Sequence, residues 1–221
     1  MDWTALGLSL RLALATVAIL LPLAFLLARW LAYGRFKGRG FVEALVALPL
    51  ILPPTVIGFY LLTAFSQQSP LGPFFQSLLG RPLAFSFEGL VLASVLVNLP
   101  FAVQPMQNAL AAIPGNLRDA ARCCGLAPLS VVRRIELPLA LPGIATAVVL
   151  TFAHTLGEFG VVLMVGGSIP GETRTIAIAI YDRVQAFDDR SAGVMALVLL
   201  VLSLVALGIT NTLARRMARH D

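Results

Sequence analysis

The chain is poor in charge, cysteine and histidine, and each shortage excludes something. Charged residues make up 12% of its 221 residues, about half the usual share of a soluble domain. The only cysteines, Cys123 and Cys124, are neighbours, and adjacent cysteines rarely satisfy disulfide geometry. Two cysteines and two histidines in all are too few for a structural zinc site within one chain, so no metal ligands are expected. There is no G-x-x-x-x-G-K-[ST] phosphate loop, so the chain is not expected to hydrolyse ATP itself. No basic region precedes the first apolar run, which is long enough to span. A cleavable signal peptide is therefore not expected.

Apolar residue is what the chain has in abundance: 58% hydrophobic, with a mean hydropathy of +0.89. This composition is that of a polytopic membrane protein. A bilayer core admits only helices or closed barrels, and the apolar runs are long and continuous instead of short and alternating. The expected fold is a single all-α domain over 1–221, a bundle of about five transmembrane helices. The spans fall near 7–28, 43–65, 88–112, 139–165 and 192–213, each at or above roughly 20 residues. Eleven basic residues lie on one side: Arg29, Arg35, Lys37 and Arg39, then Arg118, Arg122, Arg133 and Arg134, then Arg215, Arg216 and Arg219. The other side holds Arg81, Arg174, Arg183 and Arg190, with Arg11 inside the outer end of segment one. Positive-inside counting puts the N-terminus in the periplasm and the C-terminus in the cytoplasm. The formal charge of +5 is spread over these loops; it answers to membrane lipid and topology, not to nucleic acid.

Within the spans, polar and helix-breaking residues mark places to watch. Pro53-Pro54-Thr55 sits mid-segment, and each proline removes a backbone donor; the passage reads as a pore-lining hinge or as a static kink. Outer loop 66–87 has room for a short surface helix near 73–79. Segment three holds Asn98, Gln104, Gln107 and Asn108, which either bond across helices or line a wet path. In segment four His154 and Glu158 are one turn apart on one face. They read as a proton relay, as a gate or pore lining, or as a buried pair holding helices together. Glu158 lies about 30 Å along the helix from Pro138, near the outer surface, which disfavours the relay. The tail from Ala214 to Asp221, with His220, reads as a stop-transfer anchor.

The longest polar interruption between central spans is Asp119 to Pro138, DAARCCGLAPLSVVRRIELP. It reads as two short helices. Leu117, Ala120, Ala121 and Cys124 form one small apolar face, with Arg118, Asp119 and Arg122 on the other side. Gly125 ends the first helix and Pro128 opens the second. Such a knob suits either a protein partner that must approach closely or lipid headgroups. The spacing of Asp119-Ala120-Ala121, Gly125, Ile135, Leu137 and Pro138 resembles the cytoplasmic signature of ATP-binding-cassette importer permeases, with Asp119 where that family has Glu. The resemblance implies that the loop, about 114–138, docks into an ATPase subunit through Asp119, Ala120, Ala121, Arg122, Gly125, Ile135, Leu137 and Pro138.

Leu156-Gly157-Glu158-Phe159-Gly160, with Ile169-Pro170-Gly171-Glu172-Thr173-Arg174-Thr175-Ile176, is most similar to the molybdate and tungstate branch; sulfate and thiosulfate permeases are the nearest competitors. By bottom-up reading, Pro170-Gly171 is a turn, and Thr173 or Thr175 is placed to cap a short helix through Gln185. The resemblance implies a pore formed by a homodimer in the bacterial inner membrane, two cytoplasmic ATP-binding subunits and a periplasmic oxyanion-binding protein. ATP and magnesium would be bound by the ATPase, with no cofactor on this chain. Pro53, Pro54, Thr55, His154 and Glu158 are the pore or gate candidates. The membrane segments offer only Arg11 to a dianion, so no tight oxyanion site is expected within the bilayer. An intramembrane enzyme using His154 and Glu158 is the alternative from another class.

Overall fold

The computed structural model describes residues 1–217, with side chains through Gly208, and every regular element among them is helical. Helix α1 (Trp3–Tyr33) is 31 residues long. The Asp2 carboxylate caps it by accepting from the Ala5 N–H at 2.9 Å, which satisfies one of the orphan donors of the first turn. It ends at Gly34, where a Cβ would stand 2.4 Å from the Trp30 carbonyl and where Trp30 and Phe36 stack at 4.3 Å. Its inward stripe of Leu12, Leu20, Ala24, Ala28 and Leu31 is fully buried.

The second expected span is broken. Helix α2 (Arg39–Ile51) and helix α3 (Pro54–Phe65) meet at 110°. Leu52 and Pro53 are extended, with ψ of 138° and 137°. Two consecutive prolines supply no N–H to the preceding turn, and a residue before proline is pushed out of the helical region. The break expected at Pro53-Pro54 within 43–65 is thus present, as a 110° corner sharper than a simple kink. The expected surface helix is present as α4 (Leu71–Leu79), closed by Gly80 at φ +73°. Span three is α5 (Phe87–Val97) followed by α6 (Leu99–Ala111), bent by 41° at Asn98.

Helix α7 (Gly115–Cys123) is the first of the two loop helices. The second is not a separate element. Short helix α8 (Pro128–Val131) continues through a π-helical turn, Val132–Glu136, into α9 (Leu137–Gly157). The whole of Pro128–Gly157 is one 30-residue helix, with Leu137 and Pro138 inside it. Span four also ends earlier than the expected residue 165. It stops at Glu158–Phe159, and α10 (Gly160–Gly166) restarts beyond. Helices α11 (Ile176–Gln185) and α12 (Asp189–Met217) complete the described chain. Of the tail read as a stop-transfer anchor, Ala214–Met217 continue α12, while the rest, with Arg219 and His220, and the side chains of Arg215 and Arg216 lie outside the described residues.

Among the described residues three helices are long and apolar enough to cross a membrane, and up to five spans result if each bent pair counts as one. Helix α9 is the hub, packed on α6, α1 and α12. Without a hydrophobic drive between helices in lipid, close backbone approach does the holding. Gly143 of α9 permits it: a Cβ there would lie 2.5 Å from the Ala109 side chain and 2.6 Å from the Pro105 carbonyl. Gly58 and Gly160 do the same between α3 and α10, against Met164 and Pro54 respectively.

Candidate functional site

Two regions hold the sequence-derived site residues, one at each end of α9. At its N-terminal end, α7 closes with a reversal at Gly125. The Gly125 N–H donates to the Arg122 carbonyl at 2.9 Å, and the Leu126 N–H to the Ala121 carbonyl at 3.1 Å. Gly125 has φ +76°, the left-handed state that side chains resist. Asp119 and Arg122 form an exposed ion pair at 3.6 Å. Of the expected small apolar face only Ala121 is buried; Leu117, Ala120 and Cys124 are open. The chain therefore leaves this face uncovered, next to exposed Leu129 and Pro138 and half-buried Ile135 and Leu137.

The residue that anchors this end was not among those singled out in the sequence. Glu136, in the π-helical turn, is 1% exposed. Arg29 of α1 donates to it from Nε at 2.6 Å and from Nη2 at 3.3 Å. One turn on, the Tyr33 hydroxyl donates to the Leu110 carbonyl at the end of α6 at 3.0 Å. The Arg118 guanidinium of α7 lies 3.6 Å over the same ring, an attractive cation–π geometry. Arg29, Tyr33, Arg118 and Glu136 thus tie α1, α6, α7 and the α8–α9 helix at one point. The available sequence signal was a lone acidic residue flanked by apolar positions, Ile135-Glu136-Leu137.

At the other end, the His154 and Glu158 side chains are 3.7 Å apart, beyond a hydrogen bond. Each has another partner. Glu158, 7% exposed, accepts from the Val161 N–H at 3.0 Å and so caps α10. His154 Nδ1 is 3.1 Å from Asn98 Oδ1, and its ring stacks on Phe101 at 4.2 Å. Asn98 donates to Thr155 Oγ1 at 3.1 Å and to the Ser94 carbonyl at 2.8 Å. Asn98 is the bend of span three, so this network fixes two helix breaks to each other. The two side chains thus bond to different neighbours and not to each other, with Glu158 buried and His154 half-buried. Pro54 abuts Gly160, which brings the Pro53-Pro54-Thr55 corner to the same break. Pro53, Pro54 and Thr55 themselves remain exposed.

The loop between α10 and α11 folds as a compact turn. The N–H groups of Glu172, Thr173 and Arg174 all converge on the Ile169 carbonyl, and Gly171 takes φ +81°, as a Pro-Gly turn requires. Neither threonine caps α11 by its side chain. The Thr173 hydroxyl accepts from the Ile169 N–H, and the Ile176 N–H finds Ser9 Oγ of α1 at 2.8 Å. The expected caps are therefore corrected: a tertiary neighbour supplies the acceptor. Arg81 joins Glu88 and, at 2.9 Å, Glu172. Among the described residues no cluster of three or more metal-ligating side chains occurs.

A bundle of broken membrane spans, with an uncovered helical knob at one end, is the architecture of a transporter's membrane component. The chain belongs to the family of binding-protein-dependent transport system inner membrane components, whose pattern it matches over residues 11–219. It is 47% identical over 191 residues to the molybdenum transport system permease protein ModB of Azotobacter vinelandii, covering 86% of this chain and 84% of that one. It is 36% identical over 215 residues to the protein of the same name from Escherichia coli K12, covering 97% and 94%. Among solved structures it resembles a bacterial transporter that imports the acidic polysaccharide alginate, with a TM-score of 0.75, 22% identity and coverage of 96% and 78%. That likeness establishes the fold.

Proposed function

We propose that the chain is the permease subunit of an ATP-driven molybdate importer, with the translocation pore formed between two copies. The observation that carries the substrate assignment is its 47% identity, over most of both chains, to a molybdenum transport permease. The distribution of basic residues orients the N-terminus to the periplasm and the α7–α8 knob to the cytoplasm. There the open face of Leu117, Ala120 and Cys124 receives the ATPase subunit, which binds ATP and magnesium; this chain carries neither and is not itself an enzyme. A periplasmic binding protein delivers the oxyanion from the other side.

The geometry supports a lever. Helix α8 runs without a break into α9, so a displacement of the knob is carried along roughly 45 Å of helix. The far end of that helix meets the Glu158–Gly160 break and the Pro54 corner. Closure of the ATPase pair on ATP moves the knobs together and shifts these outer breaks; release of ADP and phosphate reverses it.

The test is ATP-dependent uptake of labelled molybdate into proteoliposomes holding the permease, its ATPase and its binding protein. Block by excess tungstate but not by sulfate is expected. Block by sulfate would move the chain to the sulfate branch, and no uptake by an intact complex would refute the importer reading.

A further inference from the structure

Span three carries four uncharged amides at membrane depth, and the structure divides them into two pairs. Asn98 is fully buried and committed to Ser94 and Thr155. Gln107 donates to Glu43 Oε1 of α2 at 2.7 Å. These two hold helices together. Gln104 and Asn108 are exposed, and among the described residues neither side chain has a hydrogen-bond partner. They are four residues apart, hence on one face of α6. The positions between and behind them, Val103, Met106 and Leu110, are buried.

The exposed pair borders a cavity of about 260 Å3 between α2, α6 and α9, with Leu50, Phe101 and Leu150 on its other walls. No charged side chain lines it. Phe101 is also the ring that stacks on His154, so the cavity abuts the network at the helix breaks. Gln104 lies seven residues, or about 10 Å, inside the end of α6. Hydrocarbon offers an amide no partner, and an uncompensated polar group is costly there. A face with two such amides is therefore turned to water and not to lipid.

We propose that Gln104 and Asn108 line the translocation path and supply neutral N–H donors to the passing tetrahedral dianion. This rests on the importer reading above. Charged donors would hold a dianion tightly; conduction needs contacts weak enough to release it. Amides without a cation meet that need, and selectivity is left to the binding protein.

The test uses the full complex with Gln104→Cys or Asn108→Cys, and Leu204→Cys on the exposed apolar face of α12 as the lipid control. A negatively charged, membrane-impermeant methanethiosulfonate is added, and adducts are counted by intact mass. Cys123, exposed and not on the Leu117, Ala120 and Cys124 face that receives the ATPase, gives the rate of a wet thiol. One additional adduct is expected at position 104 and at position 108, and none at 204. Modification at 104 is expected to lower molybdate uptake at least tenfold in a complex that remains assembled, with recovery on adding dithiothreitol. The proposal is overturned if Gln104→Cys stays unmodified while Cys123 reacts, or if it is modified and uptake is unchanged. If the unmodified complex carries sulfate instead of molybdate, only the substrate assignment falls, and the same block is read on sulfate.

Discussion

Arg29 and Glu136, 107 positions apart in sequence, meet through two hydrogen bonds at 2.6 and 3.3 Å, with the carboxylate buried and the guanidinium half open. That asymmetry makes the two partners unequal. Removing the arginine strands a buried carboxylate, whereas removing the carboxylate leaves a cation that can reach water. Arg29→Ala is expected to cost about 3 kcal/mol and Glu136→Gln clearly less, read as thermal unfolding of the purified subunit in one detergent. Equal losses would show that Glu136 is hydrated in the membrane.

The open face of α7 gives a prediction free of stability effects. Leu117, Ala120 and Cys124 touch nothing that covers them, so Ala120→Arg should leave the melting temperature of the isolated subunit unchanged. Co-purification with the ATPase should fall at least tenfold, because a bulky cation blocks close approach on a small-residue face. A variant that still assembles at wild-type yield would move the docking surface elsewhere. Gly125→Ala, by contrast, forces a side chain into φ +76° and should cost about 1–2 kcal/mol.

His154 is held by Asn98 and by the Phe101 ring, and its side chain stands 3.7 Å from Glu158. A structural role predicts that His154→Phe keeps the ring stacking, loses one partly buried hydrogen bond worth about 1 kcal/mol, and transports with an unaltered pH profile between about pH 6 and 8. Loss of a titration in that window would restore the proton-relay reading. Asn98→Leu removes bonds to Thr155, Ser94 and His154 together and should be the more damaging change.

Two glycines test the packing account against each other. At Gly143 a Cβ would collide with Ala109 and with the Pro105 carbonyl, and a backbone atom cannot step aside. Gly143→Ala should cost about 1–3 kcal/mol. At Gly193 of α12 nothing lies within 4 Å of the same atom, so Gly193→Ala should be neutral or stabilise by up to about 1 kcal/mol. Thermal unfolding of both variants in one detergent decides the matter.

The sequence by itself determined the helical membrane class, the placement of every span but the fourth to within about five residues, the α7 helix with its Gly125 stop and the Pro170-Gly171 turn. Those are local properties: run length, proline, glycine and helical periodicity act over a few residues. Only the tertiary structure decided what depends on distant neighbours. The Pro53-Pro54 kink became a 110° corner because α3 could pack on α10 through Gly58 and Gly160. The second half of the 119–138 loop became the start of a 30-residue helix because a π-helical turn joined α8 to α9 and placed Glu136 on Arg29. Nor does periodicity separate Asn98 and Gln107, which found partners, from Gln104 and Asn108, which did not. A side chain's role in a bundle is set by what the facing helix presents, and that pairing is written in no single stretch of the chain.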